Sequence, residues 1–159
     1  MEIHYQPIGI VHTPFKKISG MPIQPSGATG VRGTIELYSQ FVEGIADLDG
    51  FSHIILLYHF HLVTAASLTV IPFLDTKPRG LFSTRAPKRP NPIGISIVTL
   101  TGIEGNILSI ENIDVLDGTP LLDIKPYVPE FDHHSAVRLG WIEKAKGHSR
   151  EKRSDERFQ

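Results

Sequence analysis

The hydrophobic and polar positions of this chain alternate in ways typical of β-strands. Residues 31–38 place apolar or small side chains at every second position, the pattern of a half-buried strand. Residues 51–62 are rich in β-branched and aromatic residues and predict a long central strand. The period of two divides this strand into one face with His53, Ile55, Leu57, His59 and His61 and another with Ile54, Leu56, Tyr58, Phe60 and Leu62.

The remaining apolar runs predict further short strands joined by turns. These runs cover residues 6–13, 68–73, 80–84, 94–103, 107–116 and 121–127, and the spacing of apolar residues predicts one short helix within 39–50. Turn sequences at 104–106 and 117–120 separate the last three strands. The predicted fold class is mainly β: a small antiparallel barrel with one or two short helices.

Length and composition predict a single barrel domain with a charged tail. The chain has 159 residues, of which 40% are hydrophobic and 21% charged, as in an ordinary globular domain. We place the barrel domain at residues 1–141 and the tail at 142–159. Because 10 of the last 17 residues are charged, we expect this tail to bury little and to be a solvated helix or disordered.

The cysteine count, the net charge and the N-terminal sequence disfavour several classes of function. The chain has no cysteine, which excludes disulfides, thiolate nucleophiles and cysteine-ligated zinc. A formal charge of −1 argues against electrostatic coating of nucleic acid, although a local basic patch remains possible. The N-terminus lacks the pattern of a secretory signal, so we expect a cytoplasmic protein.

The segment RAPKRPNPIGIS at 85–96 is the strongest candidate for binding chemistry. Three prolines restrict its backbone, which orients Arg85 and Arg89 for a carboxylate or phosphate. Asn91 offers a donor and an acceptor, and Gly94 allows close approach to the backbone. The segment therefore predicts an anionic or nucleotide-like ligand, against the alternative of a solvated proline-rich loop.

This segment also resembles the signature of the TsaA/TrmO-like (YaeB-like) family. The resemblance extends to 50–61, 117–127, 8–15 and the tripeptide Pro22-Ile23-Gln24, in the family's order. It implies an S-adenosylmethionine-dependent tRNA methyltransferase built on a small β-barrel and acting as a dimer. The implied reaction adds a methyl group to N6 of threonylcarbamoyladenosine at position 37, beside the anticodon.

The resemblance and the chemistry of that cofactor and reaction together assign expected roles to individual residues. The expected cofactor-binding residues are Pro22, Ile23, Gln24, His61, Leu62, Arg85, Asn91, Gly94, Ile95 and Asp114. Lys88 and Arg89 are expected to bind the tRNA substrate, and Asp117, Asp123 or Tyr127 to remove the proton from N6. The chain departs from the family at Ile23, where a basic residue is expected, and lacks the additional C-terminal domain of longer members.

Two other functions compete with this interpretation. His59, His61 and the acidic, histidine-rich segment 132–134 suggest a metal-dependent hydrolase, although strand histidines of this kind more often line a core or pocket, and we expect no metal. A non-catalytic module that binds S-adenosylmethionine or RNA is the stronger rival, because methyl transfer requires positioning more than a visible nucleophile. No glycine-rich loop opens a helix, so a doubly wound cofactor fold is not supported.

Overall fold

The computed structural model describes residues 1–145 and 151–158. Its strands are β1 (Gly9–His12), β2 (Arg32–Leu37), β3 (His53–His59), β4 (Thr69–Val70), β5 (Arg79–Gly80), β6 (Ile93–Glu104), β7 (Ile107–Glu111) and β8 (Thr119–Pro126). One short α-helix, α1, covers Pro129–Asp132. Single 3₁₀ turns or short 3₁₀ helices cover Pro25–Gly27, Ser39–Ile45, Leu48–Gly50, Leu81–Ser83, Gly140–Ala145 and Glu156–Phe158.

Six of the described strands form a closed antiparallel barrel in the order β1-β2-β7-β6-β3-β8. Ring closure comes from β1, which pairs with β2 on one side and β8 on the other. The predicted barrel is therefore confirmed. Closure leaves these six strands of the barrel without an unpaired edge, which removes the tendency of edge strands to add further strands.

The barrel core is built from the alternation seen in the sequence. Ile54, Leu56 and Tyr58 of β3 point inward and are buried, whereas the intervening residues are only partly buried. The two faces predicted for this strand are thus observed within β3. The fully enclosed core contains Val11, Ile35, Leu37, Ile54, Leu56, Val98, Leu108, Ile110, Ile113, Val115 and Leu121.

Both predicted turns depend on glycines with left-handed backbone. Gly105 has φ +59 between β6 and β7, and Gly118 has φ +78 before β8. A side chain would strain the backbone at either position, because L-residues rarely adopt positive φ.

The predictions for the chain between β3 and β6 were partly wrong. The run at 80–84 is not a strand: β5 ends at Gly80, and Leu81–Ser83 form a 3₁₀ turn. The run at 68–73 contributes only the two residues of β4, which pair with β5 as a separate small sheet. Pro72 and Pro78 lack the N–H that a ladder requires, which limits both strands. The helix predicted within 39–50 is present only as two 3₁₀ segments.

The C-terminal residues 151–158 bury more than their charge predicts. Phe158 is 6% exposed and packs with Val70, Leu81 and Ala86. The backbone of Ser154 exchanges hydrogen bonds with Gly20 and Met21 at 2.8 Å. The expectation that the tail buries little therefore holds for most charged residues of this segment, which are exposed, but is wrong for Phe158. Phe158 and the backbone of Ser154 together attach the segment to the rest of the chain. The rest of the predicted tail after Ala145, residues 146–150 and Gln159, lies outside the described residues.

None of the helices formed by the described residues has the length and apolar character needed to cross a membrane.

Candidate functional site

The register of the barrel brings three strand ends to one opening. Tyr58, near the end of β3, lies opposite Gly94 at the start of β6 and Leu121 at the start of β8. The register between β3 and β8 shifts at Tyr58, a bulge of the kind that often redirects side chains beside active sites. This end of the barrel therefore forms the floor of a site.

A cavity of about 820 Å³ lies over this opening. Its volume is in the range of sites for small molecules and cofactors. Besides the barrel end, its walls come from four segments that we call the cap: residues 18–25, 60–92, 141–142 and 151–158. The cap supplies most of the aromatic and cationic side chains of the cavity, and the barrel supplies the floor.

Asp114 is the one carboxylate among the described residues that line the cavity. Its side chain accepts a hydrogen bond of 2.6 Å from the Ser96 hydroxyl. Ser96 Oγ also lies 2.9 Å from the Tyr58 hydroxyl, which must donate because the Ser96 proton is already given to Asp114. The result is a buried chain from Tyr58 through Ser96 to Asp114.

Burial dominates the electrostatics of this chain of hydroxyl and carboxyl groups. It raises the pKa of Asp114 to about 6, and the hydrogen bonds from Ser96 and the backbone, with the Arg85 charge, only partly offset it. Burial, together with nearby Asp114, also raises the pKa of Tyr58. At neutral pH the tyrosine is therefore neutral, while Asp114 exchanges its proton close to physiological pH.

The backbone around Asp114 explains why it faces the cavity. The strand predicted over 107–116 ends at Glu111, because Asn112 adopts a left-handed conformation with φ +65. Asn112 is held there by a hydrogen bond from its amide to Thr99 and by one accepted from Gly30 N–H. Asparagine tolerates this conformation better than most residues. After this turn Ile113 and Val115 enter the core, and Asp114 lines the cavity.

Gly94 was expected to let a ligand approach the backbone closely. The structure shows that it also has a packing role. A Cβ at this position would overlap the ring of Tyr58. Only glycine leaves room for the tyrosine to reach Ser96 across the strand pair. Gly94 therefore positions the buried hydroxyl chain as well as lining the cavity.

Ten of the residues expected at the site line this cavity. They are Pro22, Ile23, Gln24, His61, Leu62, Arg85, Arg89, Gly94, Ile95 and Asp114. Arg85 is exposed and close enough to Asp114 to lower its pKa. Burial, followed by the neighbouring His59, lowers the pKa of His61, which is therefore neutral at neutral pH.

The other expected residues lie outside the lining described for this cavity. Asn91 is exposed, and its carbonyl accepts a hydrogen bond from Ile93. Lys88 is half-buried rather than a freely exposed lysine, and its carbonyl accepts from Ser67 N–H. The exposed face of the barrel carries Asp123, which pairs with Lys125 at 2.7 Å.

Two further expected catalytic residues have structural partners. Asp117 forms an ion pair with Lys16 at 2.6 Å and accepts a hydrogen bond from Thr13 N–H, and the first of these contacts is the main reason that its pKa is low. Tyr127 packs edge-on against His53, with 6.3 Å between the ring centroids. Asp117, Asp123 and Tyr127 are thus not among the described residues that line the cavity of a single chain. Their catalytic role stays a prediction.

Sequence reasoning missed Ser96, Phe82, Trp141 and Phe158, all of which belong to this site or its walls. Ser96 had a signal, since it interrupts an inward-facing row of apolar residues on β6. The cap residues had none, because their positions depend on irregular backbone.

No group of three or more histidine, cysteine, aspartate or glutamate side chains within the described parts of the chain is arranged to hold a metal ion.

Comparisons with known families and proteins identify the family of this barrel. Residues 10–133 match the family model for the tRNA-methyltransferase O N-terminal domain. The chain belongs to this family. A protein of Pyrococcus abyssi named a probable S-adenosyl-L-methionine-binding protein is 54% identical over 98% of this chain and 85% of its own length.

Some relatives have longer chains, and this chain matches only part of their length. The human protein named tRNA (adenine(37)-N6)-methyltransferase is 34% identical over 80% of this chain but only 30% of its own length. The crystal structure of TrmO from Pseudomonas aeruginosa superposes with a TM-score of 0.74 at 40% identity, covering 89% of this chain and 63% of that one. This chain thus spans under two thirds of the solved TrmO chain.

Proposed function

We propose that this protein binds S-adenosylmethionine in the cavity and transfers its methyl group to N6 of adenosine 37 in tRNA. The observation that carries this proposal is a buried, ionisable carboxylate at the floor of a cavity in a chain of the tRNA-methyltransferase O family. Relatives are named as binding S-adenosylmethionine and as acting on adenine 37 of tRNA. The threonylcarbamoyl form of that adenosine is the specific substrate we propose.

The residues present fit the cofactor. Arg85 offers a guanidinium for its carboxylate, and Gln24 and the strand-end backbone at Gly94 and Ile95 offer polar groups for adenine and ribose. Pro22, Ile23 and Leu62 supply apolar surface, and neutral His61 adds no competing positive charge beside a sulfonium. When bound, the cofactor supplies an electrophilic methyl group that leaves its sulfur for the attacking nitrogen.

We assign the proton transfer to Asp114. As the methyl group bonds to N6, the proton on that nitrogen must leave, and a carboxylate inside the cavity can accept it. A general base works best with a pKa near the working pH, and burial brings Asp114 to about 6. The Ser96 hydroxyl orients the carboxylate from the side away from the cavity. Arg89, and Lys88 beside it, are proposed to contact tRNA phosphates.

The active particle is proposed to be a homodimer. The outer faces of β3 and β6 carry apolar cross-strand pairs, Ile55 with Ile97 and Leu57 with Ile95. Ile95 and Ile97 are 47% and 40% exposed, so this face has apolar surface for a second copy to cover. Because Ile95 also lines the cavity, the second copy would lie beside the cofactor. Light scattering should give a dimer that Ile97→Glu dissociates, and a monomeric wild type that still binds cofactor would contradict it.

A non-catalytic cofactor-binding protein is the second candidate, favoured by relatives named only as S-adenosylmethionine-binding proteins. The cytoplasmic location expected from the sequence stays a prediction.

The deciding experiment is methyl transfer from labelled S-adenosylmethionine to tRNA, followed by nucleoside analysis. The wild type should label N6 of an adenosine, and Asp114→Asn should lower the rate by about 100-fold or more, the usual contribution of a general base. Asp117→Asn and Asp123→Asn serve as comparisons. If Asp117→Asn or Asp123→Asn abolishes methyl transfer while Asp114→Asn remains active, the assignment of Asp114 as the general base is wrong. If the wild type binds cofactor but labels no tRNA, the non-catalytic function stands.

A further inference from the structure

The mouth of the cavity carries an exposed phenylalanine that the proposed chemistry does not use. Phe82 is 73% exposed, yet it lies in the short turn Leu81–Ser83, next to Leu81, which is 1% exposed. Burial of Leu81 in the small cap cluster fixes this turn. The ring of Phe82 is therefore held in solvent by an anchored backbone. Single exposed apolar residues are common, so this alone does not define a site.

A fixed guanidinium beside the ring gives the second observation. The guanidinium carbon of Arg89 lies 5.6 Å from the centroid of Phe82, within the range of cation–π contact. Its Nη1 donates to the carbonyls of Thr84 at 3.1 Å and Ala86 at 3.3 Å. The arginine is thus anchored by the backbone of the proline-rich segment and covers only part of a ring that is otherwise open to solvent.

Trp141 repeats this arrangement on the same turn. Its indole N–H donates to the carbonyl of Ser83 at 2.9 Å, and Arg79 lies 5.6 Å from its ring centroid. Arg79 is held by Asp75 at 2.6 Å. Two aromatic rings, each paired with an anchored guanidinium, therefore flank one turn, and both rings line the cavity.

The positive charge of the chain around Phe82 indicates which class of partner binds there. Residues 79–89 contain three arginines and one lysine but no aspartate or glutamate, in a chain whose formal charge is −1. Aromatic rings combined with arginine and lysine form the usual site for unpaired nucleic acid, because bases stack on the rings and phosphates contact the cations.

We propose that Phe82 is a stacking platform for an unpaired nucleobase adjacent to the nucleotide that enters the cavity, with Trp141 as a second platform. The site takes single-stranded RNA, such as a loop, and this assignment rests on the proposed function. Stacking on Phe82 would hold the nucleotide next to the target outside the cavity, while the target adenosine enters the cavity and reaches Asp114.

The test measures binding of a fluorescently labelled RNA stem-loop, with an adenosine-containing single-stranded loop, to the full chain by fluorescence anisotropy. Phe82→Ala should weaken binding about 5- to 140-fold, the range for loss of one stacked base. Phe82→Trp should restore it, because indole also stacks. Phe131→Ala is the matched control: Phe131 is 70% exposed on α1 and is not among the described lining residues of the cavity.

Calorimetry with S-adenosylmethionine and light scattering on the same variants separate the alternatives. In Phe82→Ala the molecular mass should equal that of the wild type, and cofactor affinity should fall far less than RNA affinity, because most of the ring faces solvent although it lines the cavity. Loss of cofactor affinity would place the ring in the cofactor site instead, and a change of mass would place it between copies of the chain, and either result overturns the stacking proposal. Equal RNA binding by wild type and Phe82→Ala also overturns it while leaving the proposed function intact. A wild type that binds cofactor but no RNA contradicts the proposed function itself.

Discussion

The barrel and its cap are stabilised in different ways, and the cavity lies where they meet. The barrel core is a closed ring of strands around fully buried side chains such as Ile35 and Leu56. The cap is irregular chain packed around one small cluster of Val70, Leu81 and Phe158. The barrel supplies the hydrogen-bonded floor with Asp114, and the cap supplies aromatic and cationic walls. A regular barrel can therefore hold one ionisable side chain in place while irregular loops form the surface that covers it.

The largest effect should come from the barrel core. Ile35→Ala should lower the free energy of unfolding by about 2 to 5 kcal/mol, because Ile35 is 0% exposed and truncation leaves a cavity. Glu36→Ala, one residue along the same strand and exposed, should change it by less than about 1 kcal/mol. Urea unfolding of both variants checks the contrast, and similar losses would mean that the barrel does not carry the stability.

Asp114→Asn should stabilise the protein, by about 3 kcal/mol at most above pH 7, since burial raises the pKa of Asp114 from 3.8 to about 6. A raised folded-state pKa gives stability that is fully present below about pH 4 and is lost as the pH rises through about 6. The difference in melting temperature between variant and wild type should therefore be widest above pH 7 and vanish below pH 4. A variant that is destabilised at pH 8 would show that ionised Asp114 supports the fold.

Cofactor binding should stabilise the wild type by linkage. At about 100 times Kd, S-adenosylmethionine should raise the free energy of unfolding by roughly 2.7 kcal/mol. We expect an affinity near the micromolar range and the same increment in Glu36→Ala, whose substitution lies outside the cap. Calorimetry that detects no binding in large cofactor excess would remove the cofactor assignment.

The smallest effects should separate two cations of the cap. Arg85→Ala should weaken cofactor binding by about 1.5 to 3 kcal/mol, the range for a charged hydrogen bond, with little effect on folding because Arg85 is exposed. Lys88→Ala should leave cofactor binding nearly intact and weaken RNA binding more at low salt than at high salt. Cofactor titrations of both variants, with RNA titrations at several salt concentrations, check this, and a larger cofactor defect in Lys88→Ala would reverse the two roles.

The barrel was largely predictable because its signal is periodic. Ile54, Leu56 and Tyr58 alternate with residues that face outward, and a period of two fixes which face is buried. Asp114 was predicted at the site from the polar groups that the cofactor requires. Its raised pKa depends on burial, and its hydrogen bond comes from Ser96, which lies 18 residues earlier in the sequence, so neither could be predicted from local sequence.

The cap resisted prediction for a physical reason. Phe82, Trp141 and Phe158 occupy short 3₁₀ segments whose positions depend on single contacts, such as Trp141 with Ser83. Neither periodicity nor charge identifies such contacts, so the charged segment around Phe158 predicted a solvated tail.

A crystal structure of the chain with S-adenosylmethionine or its demethylated product bound would test the position of the site most directly. We predict density in the cavity between barrel and cap, with the carboxylate of the ligand toward Arg85 and the reacting sulfur on the side of Asp114. Density at another place, or a cavity that stays empty at saturating cofactor, would show that the cofactor site is not formed where the barrel meets its cap.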